Sequence, residues 1–172
     1  MTAALSPRFP TQNSLPEAIR TQVLELLNRR LADAVDLGTQ AKQAHWNIKG
    51  PLFNSLHLLF DAIHASIDGY VDLLAERVVQ LGGVAAGTAR ISAKMSELNE
   101  YPAAVDGMEH VAALSAVLAA FGARMRIASD KISGWGDQDS ADLCIEISRG
   151  THKWLWMVEA HGQSAPSIPG AI

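Results

Sequence analysis

The sequence predicts an all-α fold: one four-helix bundle with a single long crossover between its second and third helices. Three observations carry this. Apolar residues recur at helical spacing along four long stretches, with little strand alternation to compete. Glycine and proline punctuate the ends of those stretches. The link between the second and third stretches exceeds 20 residues, enough to traverse a bundle and let those helices run parallel. At 172 residues, the chain suits one well-packed domain and is short for two.

The pattern Ser14-Leu15-Pro16-Glu17 reads as a capping box opening the first helix, with proline near its first turn. Ile19, Val23, Leu26, Leu27, Ala34, Leu37, Ala41 and Ala44 give that helix its apolar stripe, and Gly50-Pro51 stops it. The second helix runs from about Phe53 to Leu81, before Gly82-Gly83. A polar connection to about Asp106 follows, with room for a short helical segment. The third long helix spans about Met108 to Ile132 and ends at Gly134-Trp135-Gly136. The fourth starts at the acidic stretch Gly136 to Asp142 and reaches about Ala160. Residues 14–162 form the expected domain; residues 1–13 and 163–172 read as tails.

Composition narrows the function. No run approaches 18 consecutive apolar residues, against a membrane span. The start MTAALSPRFP lacks the pattern of a signal peptide. The single cysteine, Cys144, excludes an internal disulfide, suits a reducing compartment such as the cytoplasm, and reads as a small buried side chain. The net charge of −4 offers no general attraction to nucleic acid or acidic lipid.

Five side chains of metal-ligating type stand out: His45, His57, Asp61, Asp72 and Glu76. On the second helix they form two i,i+4 pairs, His57 with Asp61 and Asp72 with Glu76, each projecting from one face. The pairs are offset by 15 residues, about 22 Å of helical rise. Ligands lie only about 2 Å from a metal, so the two pairs of one straight helix cannot hold the same ion. A two-fold axis near Ser66 and Ile67 places His57 and Asp61 of one chain opposite Asp72 and Glu76 of another. Two imidazoles and three carboxylates form a mixed shell suited to iron, zinc or manganese, and three negative charges favour Fe(III) over Fe(II). The Glu-x-x-His motif of single-chain di-iron bundles is absent from every glutamate of the sequence.

The stretch His45-Trp46-Asn47-Ile48-Lys49-Gly50-Pro51, then Phe53, His57, Phe60-Asp61, Asp72, Ala75-Glu76-Arg77 and Leu81-Gly82-Gly83 resembles the signature of the Dps family, the mini-ferritins. The resemblance extends from about Ser14 to His161, through Lys153-Trp154-Leu155-Trp156-Met157. It implies a ferritin-like bundle assembled as a hollow homododecamer, with ferroxidase centres at two-fold interfaces. It implies Fe(II) oxidation, preferentially by hydrogen peroxide, and storage of the ferric product. His45, His57 and Asp61 then come from one chain and Asp72 and Glu76 from its neighbour; no haem is expected. Trp46 reads either as an aromatic anchor or, by the resemblance, as a ring absorbing stray oxidising equivalents. His64 and Asp68 read as extra metal contacts or as an interface hydrogen bond. His110, His152 and His161 receive no role.

Asp137, Asp139, Asp142 and Glu146 surround the start of the fourth helix, where carboxylates favour a helix N-terminus. By the resemblance, Asp137, Asp142 and Glu146 line an iron-entry pore at the three-fold axis, Asp142 foremost, focusing cations electrostatically. The lysine-rich tail that many relatives use on DNA is missing. Arg8 is the only basic residue before Glu17, and none follows Ala160. Weak or absent DNA binding is therefore expected. The leading expectation is an iron-oxidising and iron-storing enzyme. A nucleic-acid packaging protein with a structural or zinc-occupied site is the rival, and a plain helical scaffold leaves the five-residue constellation unexplained.

Overall fold

The computed structural model describes residues 9–104 and 106–163. The outer parts of both expected tails, residues 1–8 and 164–172, lie outside the described residues. Five helices follow in order: α1 Glu17–Asn47, α2 Phe53–Gln80, α3 Ala89–Met95, α4 Gly107–Trp135 and α5 Gln138–Glu159. The four long ones are those expected, and α3 is the short helix within the crossover.

Local chemistry sets the helix ends. Pro16, not Ser14, occupies the cap position of α1, and no side chain caps it. The residue before a proline is disfavoured in the helical region, so Leu15 stays outside and the expected capping box cannot form. Asn13 Oδ1 instead accepts from the Leu15 N–H at 2.9 Å. A capping box does open α4: Asp106 accepts from the Met108 and Glu109 N–H groups, and the Glu109 carboxylate accepts from the Asp106 N–H. Gly136 ends α4 at φ 96°, a left-handed conformation that a side chain would strain.

The bundle is two helix pairs, α1 with α2 and α4 with α5, joined through α1–α4 and α2–α5 contacts. The beginning of α4 lies beside the beginning of α2, since Gly107 abuts Leu56 and Ile48. At the far end Gly83 abuts Leu24 of α1, and Arg77 of α2 reaches Asp137 at the start of α5. So α2 and α4 run parallel, and the crossover traverses the bundle. The core between the pairs holds Leu27, Leu31, Phe60, Ile67, Phe121 and Ile147, all fully buried. Cys144 is among them, and burial pushes its thiol up to about 12, which makes it an inert core side chain. Helix α4 is long and apolar enough to cross a membrane by composition alone. Here it packs as a bundle helix on α5 and α1.

An ionic staple, buried on its Arg30 and Asp33 side and half-exposed at Glu97 and Arg124, fixes the crossover. The Glu97 N–H donates to Asp33 at 2.7 Å. The Glu97 carboxylate accepts from Arg30 at 2.6 Å and from Arg124 at 2.5 Å. Hydrogen bonding from Arg30 holds Glu97 below the usual carboxylate range. Burial pushes Asp33 up, opposed by the Glu97 amide and by Arg30.

Candidate metal centre

The α1–α2 turn brings the end of one helix onto the start of the next, so His45 and His57 meet. His45 Nδ1 lies 2.8 Å from the His57 carbonyl oxygen, and His57 Nδ1 lies 2.9 Å from that of His45. Carbonyls only accept, so each Nδ1 carries the donated proton, and in the neutral ring each Nε2 keeps its lone pair. The rings stack, with centroids 3.8 Å apart, and Phe53 lies 5.0 Å from His57 on the outer side. This reciprocal pinning sets both tautomer and orientation, as metal-binding imidazoles require.

Asp61, one turn beyond His57, has an Oδ1 atom 3.9 Å from His45 Nδ1. Its carboxylate is bonded to the Lys42 ammonium across the groove. That hydrogen bond holds Asp61 below the usual carboxylate range, with smaller contributions from the charges of Lys42 and His45. Lys42 is the site residue that the sequence reading missed. Its signal was its place three residues before His45 on one helix face, but its partner lies 19 residues away and only the fold joins them.

Asp72 and Glu76 are exposed further along the same face of α2. Within one chain, no three His, Cys, Asp or Glu side chains converge as a metal site among the described residues. The structure therefore groups His45, His57 and Asp61 and leaves Asp72 and Glu76 apart. Asp61, Asp72 and Glu76 are exposed in the single chain. Between them α2 carries an uncovered face of Leu58, Ala62, Ala65, Gly69, Leu73 and Val79. Leu58 is 61% exposed and Val79 58%, values unlike a finished surface for such side chains. Gly69 has open space where a Cβ would stand.

Trp46 is exposed and lines a surface hollow with Gln43, Glu100 and Tyr101. His64 and Asp68 do form a pair, Nε2 to Oδ2 at 3.4 Å. His110 is buried and bonded to the Tyr101 hydroxyl at 2.8 Å, a packing role. The acidic group divides. Asp137 is buried, accepts from the Ser140 N–H at the start of α5, and pairs with Arg77 at 2.9 Å. Its carboxylate is committed inside the chain, which removes Asp137 from the expected pore lining. Asp139, Asp142 and Glu146 are exposed.

A family model described as the ferritin-like domain matches residues 24–168. The DNA protection during starvation protein of Agrobacterium fabrum (strain C58) is 38% identical over 154 residues, covering 89% of this chain and 95% of that protein. The chain belongs to the Dps family of ferritin-like proteins. The solved Dps of Mycobacterium smegmatis, in its tetragonal form, matches with a TM-score of 0.87 at 30% identity, covering 92% of this chain and 96% of that one. Dps from Microbacterium arborescens in the high iron form matches at 0.78 with 28% identity, over 88% and 97% of the two chains. Dps proteins commonly oxidise and store iron, protect DNA and assemble as dodecamers.

Proposed function

We propose that this Dps chain oxidises Fe(II) at centres shared between two copies and stores the ferric product inside a hollow homododecamer in the cytoplasm. Each centre takes His45, His57 and Asp61 from one chain and Asp72 and Glu76 from another. The observation that carries this reading is the His45–His57 arrangement: two stacked imidazoles, each pinned through Nδ1 to the other's carbonyl oxygen, with the Asp61 carboxylate 3.9 Å from His45. Iron is the substrate. Neutral imidazoles and carboxylates bind Fe(II), and the carboxylates stabilise the higher charge of Fe(III) as it forms. Lys42 occupies Asp61 before the metal arrives, so iron binding must displace an ammonium group. The uncovered face of α2 supplies the apolar contact for the second copy, with Ala65 and Gly69 near the proposed axis allowing close approach.

Hydrogen peroxide is the proposed oxidant. Trp46, exposed next to His45, is placed to take up stray oxidising equivalents. Asp142 and Glu146 remain the proposed iron-entry residues. Anaerobic Fe(II) titration followed by peroxide or oxygen, recording stoichiometry and rate, tests the whole reading. Oxidation no faster than in free buffer, or oxidation unchanged by loss of His57, would refute it. DNA affinity is weak in this reading, because the tails bring only Arg8 per chain to a shell of net negative charge.

A further inference from the structure

Three histidines along the α1–α2 groove share one wiring. Beside the His45–His57 pair, His64 Nδ1 lies 3.0 Å from the Gly38 carbonyl oxygen. That carbonyl can only accept, so Nδ1 carries a proton, and in the neutral ring Nε2 keeps its lone pair. The proposed ferroxidase centre uses the first two imidazoles and leaves the third without a task.

His64 Nε2 faces Asp68 Oδ2 at 3.4 Å, one turn along the same helix. In the neutral ring both atoms are acceptors, and a cation between them, a metal ion or a proton on Nε2, makes the approach favourable. The separation exceeds the usual N–H···O range of about 2.7–3.2 Å. It equals the nitrogen–oxygen edge of a tetrahedron with metal–ligand bonds of about 2.1 Å, roughly 3.4 Å. On the opposite helix Gly38 stands against the pair: a Cβ there would meet Ile67, His64 and Asp68 at 3.5, 3.7 and 3.9 Å, ordinary van der Waals distances. In the single chain the His64 and Asp68 side chains are 27% and 64% exposed. The nearby Lys42 ammonium is already engaged by Asp61.

We propose that His64 and Asp68 form a second metal site, a chelate for one borderline divalent cation such as Zn(II) or Fe(II) in each chain. Water completes the coordination shell. One imidazole and one carboxylate match that class of ion. The site lies among the polar residues His57, Asp61, His64, Asp68, Asp72 and Glu76 that recur along α2 beside its apolar face. It can hold an iron ion close to Asp61, and it stands whether or not the shared centre does.

Equilibrium dialysis of the full-length, assembled protein against Zn(II) near neutral pH tests it. The His45→Ala/His57→Ala double variant, lacking both imidazoles of the shared centre, is expected to retain one zinc per chain. Adding His64→Ala or Asp68→Asn should weaken that binding by at least about tenfold. Zinc-edge anomalous diffraction from soaked wild-type crystals should show a peak bonded to His64 Nε2 and Asp68, an outcome independent of how the variants fold. No retained zinc in the double variant, retention insensitive to His64→Ala, or no anomalous peak at this pair would each overturn the site. Fe(II) oxidation rates measured on the same proteins report separately on the shared centre.

Discussion

Leu58→Glu is the most informative perturbation of this chain, because it separates folding from assembly. Leu58 is no proposed ligand, and 61% of it faces solvent in the single chain. Fully burying a leucine side chain is worth about 1.5–3 kcal/mol. Covering the exposed part of Leu58 therefore contributes about 1–2 kcal/mol per chain, or about 2–4 kcal/mol at a two-fold interface that uses it twice. At 1.4 kcal/mol per decade, its loss weakens association by roughly 30-fold to 1000-fold, and the buried charge adds to the penalty. The folded chain itself should change by no more than about 0.5 kcal/mol, the usual range for an exposed position. Light scattering across a dilution series measures the association, and circular dichroism checks the chain. Iron oxidation, assayed on the same samples, should fall with dissociation although every ligand is intact. An unchanged assembly at every concentration would show that this face of α2 is not the contact surface. Full oxidation by dissociated chains would refute a centre built from two copies.

Other expectations follow from the same geometry. His57→Ala and Glu76→Gln should each slow peroxide-driven Fe(II) oxidation by about 10–100-fold without dissolving the shell, read by stopped-flow absorbance and light scattering. Lys42→Met frees the Asp61 carboxylate and should tighten Zn(II) or Fe(II) binding by about tenfold; weaker binding would show that Lys42 supports the metal. Glu97→Gln should lower stability by about 1–3 kcal/mol by thermal melting, because Arg30 and Arg124 lose the negative charge they share and keep only a neutral amide oxygen. Glu97 is held below its ordinary 4.5, so its stabilisation is present above that pH and lost as pH falls through the lower folded value. The variant should thus lose part of the acid destabilisation of the wild type. DNA retention in a gel-shift assay should be weak, with about one unit of log–log salt slope per neutralised phosphate. Three or four lysines added before Pro10 should strengthen it, and salt-resistant binding by the unmodified chain would contradict the charge argument.

Helix number, helix ends and the long crossover were legible in the sequence because apolar spacing and glycine–proline punctuation are local properties. The two proposed ligand pairs were legible for the same reason, since i,i+4 spacing puts His57 with Asp61 and Asp72 with Glu76. Rise per residue alone showed that one straight helix could not close a single site from both pairs. Other features depended on side chains distant in sequence and therefore on the packed helices. Those include the mutual pinning of His45 and His57, the capture of Asp61 by Lys42, and the bond from His64 to the Gly38 carbonyl. The burial of Asp137 against Arg77 belongs with them: the sequence shows an acidic cluster, but only packing decides which carboxylate turns inward. Ser14 was misread for a nearer reason, the restriction that Pro16 places on Leu15. A sequence specifies which groups can bond; the fold decides which of them come within bonding distance.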